Sequence, residues 1–317
     1  MRRWTTHPAN ASAARIPKTG ISDRGLEVCS AGACAADSFW QNVRSMTRNV
    51  TIHRFVEGIT PGPCEDEIII EEPLEIRIEG APVAIAMRTP GQDEELAAGW
   101  LLSEGIAASA NDIAAIVPKP GGEGQRAAMV DVMLRDPSRF DAARHRRSLV
   151  TNASCGLCGA ATVDQVLREF PQVTSPFEIA TEVLLKMPAL LSAEQSAFRR
   201  TGGVHACGLF DATGRLLVLR EDVGRHNALD KLLGRALLDG LLPLSQHVVF
   251  LSGRVSFEMM QKALAAGVPV VAAIGAPSSL AIELAAKSGQ ALVAFIRGGT
   301  MNGYAGMERL RGAGRHQ

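Results

Sequence analysis

Two cysteines separated by two residues are the feature of this sequence with the clearest chemistry. Cys155 and Cys158 stand in the segment SCGLCG, and residues 160–170 after it carry apolar side chains at helical spacing. This pattern predicts a helix that Ser154 or Asn152 can cap. A cysteine at a helix start meets the positive end of the macrodipole and free N–H groups, which favour the thiolate and lower the pKa from about 8.5. The pair therefore indicates thiol chemistry.

Four interpretations of this cysteine pair remain open on the motif alone. A structural zinc site needs four ligands, and His205 with Cys207 would have to supply the other two from one strand. A thiol–disulfide oxidoreductase also has CxxC at a helix start, but usually after an early strand and with flanking aromatic residues. A sulfur carrier, in which one cysteine holds a persulfide and the other assists or resolves it, fits the two glycines and the loop setting. The fourth interpretation is a buried pair without a function.

A second group of polar residues stands at the start of another predicted helix. Gly224 is followed by Arg225 and His226, and Asp222 or Asn227 lies near a capping position. Cationic side chains at a helix N-terminus, next to a glycine that allows close approach, suit a phosphate or pyrophosphate. The alternative is an ordinary capped helix with a solvated charged face.

Two further loops have the composition of anion-binding loops. Ser252, Gly253 and Arg254 follow one predicted strand and precede a helix, and residues 275–279 stand in the same position after the next strand. Small residues and hydroxyls at a helix start can bind an anion. Neither loop matches a dinucleotide fingerprint or a P-loop. His205, at the start of an earlier strand, fits a core histidine as well as a functional one.

The elements that position these residues alternate between strand and helix in the second half of the chain. We predict strands at 204–210, 215–219, 248–251, 268–274 and 291–296, and helices at 226–239, 256–266 and 278–288. Alternation through short loops favours a layered α/β sheet. Ligands of such sheets bind beyond the carboxyl ends of the strands. The loops after the strands are therefore where we expect the chemistry.

The first half predicts a smaller α+β unit after an N-terminal extension. An isoleucine-rich segment at 67–78, a turn at 79–82 and a strand at 83–87 indicate a hairpin or short meander, and residues 93–104 and 127–134 predict a helix and another strand. Residues before Val50 carry an excess of basic residues without periodic patterning, as expected of a disordered tail. The predicted organisation is a disordered extension at 1–48, a small α+β domain at 49–148 and an α/β domain at 149–317.

Composition argues against several classes of protein. Lys plus Arg number 33 and Asp plus Glu number 33, so the formal net charge is zero, and aromatic residues make up 4%. A nucleic-acid-binding protein usually has a basic excess, and base-stacking surfaces need aromatic side chains. The best apolar run, 268–274, has the length of a strand and not of a membrane span. We expect a cytoplasmic protein that binds neither nucleic acid nor membrane.

Segments spread along the chain resemble, in order, the formate dehydrogenase accessory sulfurtransferase family. The matching segments are ELAAGWLLSEGI (95–106), SCGLCG (154–159), RTGGVHACGLF (200–210), EDVGRHNALDKLLG (221–234), SGRVSFEMMQKAL (252–264) and PSSLAIELA (277–285). The resemblance covers residues from about 50 to 300. Because the motifs occur in the family's order, together they are highly specific.

The resemblance implies a cytoplasmic sulfur carrier with a cytidine-deaminase-like α/β domain. A cysteine desulfurase would load sulfur onto the CxxC loop, and the protein would pass it to the bis(molybdopterin guanine dinucleotide) cofactor before insertion into formate dehydrogenase. It also implies a homodimer and no resident metal. The implied cofactor-binding residues are Arg225, His226, Ser252, Gly253, Arg254, Phe295, Ile296, Arg297, Gly298, Gly299 and Thr300. Zinc-dependent deamination is rejected, because no H-x-E motif occurs and Ser154, not Pro, precedes Cys155.

The resulting hypothesis gives the two cysteines different roles. Cys155, nearer the helix start, accepts sulfur as a persulfide. Cys158 either attacks the inner sulfur of this persulfide and leaves a disulfide with Cys155, or only tunes the reactivity of Cys155. The rival hypotheses are a cofactor-binding chaperone without sulfur chemistry and a CxxC redox or zinc module.

Overall fold

A computed structural model describes residues 46–57, 59–119, 128–141 and 163–312. These residues belong to one compact unit that runs from Val43 to Gln317. The strands are β1 (Thr47–Val56), β2 (Ile59–Ile69), β3 (Glu72–Ile78), β4 (Ala81–Arg88), β5 (Ile113–Lys119), β6 (Ala128–Leu134), β7 (Ile179–Ala180), β8 (His205–Phe210), β9 (Leu216–Asp222), β10 (Val248–Leu251), β11 (Val270–Ala273), β12 (Ala291–Arg297), β13 (Thr300–Ala305) and β14 (Leu310–Arg311). The α-helices are α1 (Asp93–Ser103), α2 (Val163–Glu169), α3 (Thr181–Glu194), α4 (Ser196–Thr201), α5 (Arg225–Leu238), α6 (Phe257–Ala265) and α7 (Ser279–Ser288).

The larger sheet has six strands in the order β13-β12-β11-β10-β8-β9. Strands β10, β11 and β12 are parallel to one another, whereas β8, β9 and β13 pair antiparallel with their neighbours. The central strands β10 and β11 read VVFL and VVAA and are buried along their whole length, as expected of parallel strands covered on both faces. The predicted layered α/β fold is confirmed.

Alternate residues of the central strands pack against different helices. Val249 and Leu251 belong to the apolar cluster that holds α5, α6 and α7, whereas Val248 and Phe250 belong to the cluster that holds α3. Successive side chains of a strand point to opposite faces, so the sheet lies between two helical layers. Helix α3 was not predicted, and Pro188 in its interior is one reason.

A second sheet of four strands, ordered β4-β3-β6-β5, packs with α1. Helix α1 crosses α5 at Gly99 and Gly234. A Cβ atom on Gly99 would lie 1.9 Å from the carbonyl oxygen of Asp230, and one on Gly234 would lie 1.8 Å from that of Glu95. Only glycine lets the two helices approach so closely, and their contact joins the second sheet to the main core.

Several boundaries differ from those predicted. Strand β9 continues to Asp222, three residues beyond the predicted end, because β8 pairs with it as far as His205. The β1–β2 ribbon and the β12–β13 hairpin were not predicted as such. Apart from 46–48, the predicted extension lies outside the described residues. The predicted domain boundary at 148/149 also lies outside them and stays a prediction. Within the described ranges, no helix is long and apolar enough to cross a membrane.

Candidate functional site

The predicted loops meet at one edge of the six-stranded sheet. Strands β10 and β11 are parallel, so Ser252 and Gly275 follow them at the same edge. Strand β8 runs the other way, which brings His205 at its start to this edge, and Asp222 at the end of β9 pairs with His205. Arg225 and His226 open α5 just after Asp222. We call His205, Arg225, His226, Ser252, Gly253 and Arg254 the cationic edge.

The loops after β10 and β11 are held together by their backbones. The N–H of Gly275 donates to the carbonyl of Gly253 at 3.2 Å, and a Cβ atom on Gly275 would lie 2.5 Å from that oxygen. The hydroxyl of Ser252 accepts the N–H of Ala206 at 2.8 Å. In the second loop, Ser278 caps α7 by accepting the N–H of Ala281 at 3.2 Å. Ser252 and Ser278 therefore support the loops, whatever else they bind.

The start of α5 is fixed by a carboxylate that precedes it. Gly224 is the N-cap residue, so neither Asp222 nor Asn227 occupies the capping position. Instead, one carboxylate oxygen of Asp222 accepts the N–H of Gly224 at 2.9 Å and the side-chain amide of Asn227 at 3.0 Å. The same amide also donates to the carbonyl of Met87 at 2.7 Å. These bonds tie the start of α5 to the end of β4.

A fully buried ion pair lies beneath this helix start. The Lys231 ammonium is 2.7 Å from a carboxylate oxygen of Asp222, and both side chains have no exposed surface. Lys231 also donates to the carbonyl of Thr89 at 2.8 Å, and the N–H of Thr89 donates to Asp222 at 3.1 Å. Sequence reasoning missed Lys231 and Thr89, because Thr89 is 142 residues from Lys231 along the chain and only the fold brings them together.

The electrostatics of the cationic edge follow from partial burial and from like charges. Burial, and then the positive charges of Arg225 and Arg254, lower the pKa of His205, while Asp222 acts in the opposite direction. Burial, followed by Arg254, also lowers the pKa of Arg225, against the attraction of Glu258. The two arginines therefore lie close enough to repel each other and to disfavour the protonated form of His205, an arrangement that an anion would relieve.

His226 and Glu258 lie on the α6 side of the cationic edge. The Ser256 hydroxyl is 3.5 Å from Nε2 of His226. Burial raises the pKa of Glu258, but the Ser256 hydroxyl, a backbone N–H and the charges of His226 and Arg225 together bring the pKa below its usual value. Glu258 is therefore held as a carboxylate.

The predicted segment 295–300 forms the end of β12 and the turn into β13. Phe295 has a left-handed φ of 55°, and its N–H donates to the carbonyl of Gly275 at 3.5 Å. The Arg297 guanidinium lies 5.6 Å from the centre of the Phe295 ring, and the Thr300 hydroxyl donates to the carbonyl of Arg297 at 3.0 Å. Ile296 is buried in the core. Since β12 is two strands from β10, this turn stands about 10 Å along the edge from the loop after β10.

The structure describes Cys207 but neither cysteine of the CxxC pair. Cys155 and Cys158 lie outside the described residues, although α2 follows their segment and its Asp164 pairs with Lys287 of α7 at 3.6 Å. Cys207 is in the core, where burial, with Asp230 and Asp222, raises the pKa of its thiol. Within the described ranges, no group of three or more His, Cys, Asp or Glu side chains is placed to hold a metal.

Comparison with known proteins identifies the family to which this chain belongs. The model of the FdhD/NarQ family matches residues 69–311, and the chain belongs to this family. It is 49% identical over 270 residues to the sulfur carrier protein FdhD of Streptomyces coelicolor, which covers 82% of this chain and 96% of that relative. The sulfur carrier protein FdhD of Mycobacterium tuberculosis is 43% identical over 271 residues, 82% of this chain and 98% of the relative.

A solved structure has the same fold. The crystal structure of a putative formate dehydrogenase accessory protein from Desulfotalea psychrophila is similar with a TM-score of 0.67 and 25% sequence identity. The match covers 84% of this chain and all of that one. The resemblance inferred from the motifs is thus confirmed at the level of the family.

Proposed function

We propose that this protein is a cytoplasmic sulfurtransferase that serves formate dehydrogenase. It takes sulfur from a cysteine desulfurase as a persulfide on Cys155 and passes it to the bis(molybdopterin guanine dinucleotide) cofactor. The observation that carries the proposal is the Cys155/Cys158 pair in a chain of the FdhD/NarQ family, whose similar relatives are named sulfur carrier proteins. The family also suggests a homodimer.

The loading step is a thiol exchange that needs no oxidant. The Cys155 thiolate attacks the outer sulfur of a persulfide on the desulfurase. A sulfur–sulfur bond forms on Cys155 while the corresponding bond on the donor breaks, and the donor cysteine leaves as a thiolate. One sulfane sulfur moves, and no electrons are gained or lost overall.

Delivery to the cofactor leaves two possible roles for Cys158. If its thiolate attacks the inner sulfur of the Cys155 persulfide, hydrosulfide leaves for the cofactor metal and a Cys155–Cys158 disulfide remains. A cellular dithiol then reduces the disulfide before the next cycle. If Cys158 only tunes Cys155, a cellular thiol would instead attack the inner sulfur of the persulfide, so that hydrosulfide leaves for the cofactor metal and Cys155 remains in a mixed disulfide that a second thiol reduces. Substitution of Cys158 separates these routes, because only the first requires its sulfur.

The cationic edge supports the choice of cargo. The cofactor carries two diphosphate groups, and oxyanions of this kind bind arginine side chains and free N–H groups at helix starts. Arg225 opens α5, and Arg254 lies exposed in the loop after β10. A chain with no net charge therefore presents local positive charge where the strands end.

Complementation tests the proposal in cells. In a strain that lacks this protein, wild type and Cys64→Ala should restore formate dehydrogenase activity, because Cys64 lies on β2 and is given no role. Cys155→Ala should leave activity at the level of the empty vector. If Cys155→Ala and Cys158→Ala both restore full activity, the protein does not work through a cysteine-bound sulfur, and the chaperone hypothesis replaces it.

A further inference from the structure

One face of the four-stranded sheet packs on α1, and the opposite face carries a second set of apolar side chains. Leu74, Ile76 and Ile78 of β3 are fully buried in the cluster that holds α1. Successive side chains of a strand point to opposite faces, so Glu75 and Arg77 lie on the face away from α1. We call this side of the sheet the outer face.

The strand register shows which residues share the outer face. Ile85 of β4 and Met129 of β6 both pair with Glu75, and Arg77 pairs with Asp131. In the same way Met87 pairs with Pro73, Met133 is two residues from Asp131, and Val117 of β5 pairs with Asp131. The apolar residues of the outer face are therefore Ile85, Met87, Val117, Met129 and Met133.

These apolar side chains are only partly covered. Ile85 is 43% exposed and Val117 is 39% exposed. The three methionines are half-buried, and among the described residues they pack against neither of the two apolar clusters. Soluble monomers rarely expose contiguous apolar patches, and methionine is common at surfaces that bind other proteins. The outer face therefore has the composition of an interaction surface.

A pair of opposite charges lies among these apolar residues. The Nε atom of Arg77 donates to a carboxylate oxygen of Glu75 at 2.8 Å. Their side chains are 32% and 24% exposed, so both can still contact a second molecule. Because the two residues are successive outer-face positions of β3, the charges lie one after the other along the strand.

This order of charges makes the outer face complementary to itself. A two-fold axis can cross β3 at the level of Ile76, at right angles to the strand and parallel to the sheet. It then places Glu75 of one molecule over Arg77 of a second copy, and Arg77 over Glu75. A symmetric dimer needs such a self-complementary surface. An axis along β3 would instead oppose like charges, which is strongly unfavourable.

We propose that the outer face binds a second copy of this chain. The two sheets pack face to face about 10 Å apart, with the two β3 strands antiparallel. The apolar residues of the outer face become buried, and the Glu75–Arg77 pairs across the axis set the register. The inference assigns a face to self-association and does not depend on sulfur transfer.

Sedimentation equilibrium of the full-length protein over a range of concentrations tests the proposal. Wild type should form a dimer. Glu75→Arg and Arg77→Glu each place like charges across the axis and should raise the dissociation constant by about a hundredfold or more. Arg311→Glu is the control, because Arg311 pairs at 3.5 Å with exposed Glu178, away from the outer face. Its dissociation constant should stay within about twofold of wild type.

Restoring opposite charges is the decisive readout. An equal mixture of Glu75→Arg and Arg77→Glu, and the double variant that carries both substitutions, have opposite charges across the axis again. Both samples should be dimeric at the concentrations at which the single variants are monomeric. Failure of both to form dimers would contradict the proposed register.

Ile85→Lys tests the same face without a change to the charged pair. Ile85 is exposed, so the variant should fold, as circular dichroism can verify, and it should dissociate. Wild type that stays monomeric, or that is monomeric and binds a different protein through this face, would overturn the proposal. Dimers of Glu75→Arg, Arg77→Glu and Ile85→Lys that are as tight as wild type would place the dimer interface elsewhere and overturn it too.

Discussion

Buried ion pairs that link α5 to neighbouring elements hold the cationic edge in place. Asp222 and Lys231 form one fully buried pair, and Asp230 pairs with Lys262 at 2.8 Å, with Ser103 donating to the same carboxylate. Such pairs offset the cost of removing two charges from water only when their remaining hydrogen bonds are satisfied. Here Asp222 uses its bonds to fix Gly224 and Asn227, so the pair positions Arg225 and His226 by holding the first turn.

Lys231→Met tests the structural importance of the buried pair. Removal of the ammonium leaves Asp222 as an uncompensated buried charge, so the free energy of unfolding should fall by about 3–5 kcal/mol. Lys186→Met, on an exposed face of α3, is the matched control and should change it by less than about 0.5 kcal/mol. Urea denaturation followed by circular dichroism measures both. A loss in Lys231→Met no larger than in Lys186→Met would contradict this role.

Two half-buried histidines make stability depend on pH. Burial lowers the pKa of His247 and of His205 in the folded state, so below about pH 6.5 the unfolded chain binds more protons than the folded one. The stability that these neutral imidazoles contribute is fully present above about pH 6.5. It is lost as the pH falls through the lowered pKa values of the folded state. Thermal unfolding should therefore show a falling melting temperature from pH 7 to pH 5.

His247→Gln isolates one of these contributions. The variant cannot protonate at this position, so its melting temperature should fall less between pH 7 and pH 5 than that of wild type. His53→Gln, on the exposed β1–β2 ribbon, is the control. Identical slopes in wild type and His247→Gln would remove His247 from the explanation.

At the scale of elements, the crossing of α1 and α5 connects the second sheet to the candidate site. Elsewhere in a helix, glycine to alanine is stabilising by about 1 kcal/mol. At Gly99 the new methyl group would meet the carbonyl of Asp230 at 1.9 Å. We expect Gly99→Ala to be destabilising by about 1–3 kcal/mol, since overpacking forces the helices apart.

Gly62→Ala is the control for that substitution. Gly62 lies exposed in β2, and nothing stands within 4 Å of a Cβ atom there. The free energy of unfolding of Gly62→Ala, measured with urea, should stay close to that of wild type, whereas that of Gly99→Ala should fall. A stabilised Gly99→Ala variant would mean that the two helices can separate at no cost.

Elements with a strong local signal could be predicted from the sequence, and others could not. The β3–β4 hairpin was recognisable because Glu79 and Gly80 form its turn with positive φ angles, and α1 because acidic residues open it and Gly105 follows it. Helix α3 carries an interior proline and gave no such signal. The β1–β2 ribbon is exposed along most of β1, so no alternation of apolar and polar residues marks it.

For the whole molecule, the position of the candidate site was predictable, but its supporting network was not. Loops after parallel strands gather at one edge for any α/β sheet, and the structure places Arg225, Ser252 and Arg254 there as expected. The contact of Thr89 with Asp222 and Lys231 depends on two sheets packing through a helix crossing, which no local pattern encodes. His205 needed the register of β8 against β9 to be placed at the edge. The roles of Cys155 and Cys158 stay predictions.

Peptide mass spectrometry measures directly whether Cys155 holds sulfur, on which the proposed function depends. Purified protein is incubated with a cysteine desulfurase and cysteine, and the modified peptides are compared before and after treatment with a thiol reductant. We expect wild type and Cys64→Ala to gain one reductant-labile sulfur on the peptide that contains Cys155, and Cys155→Ala to gain none. Wild type without added sulfur, or Cys155→Ala with as much as wild type, would contradict the proposed function.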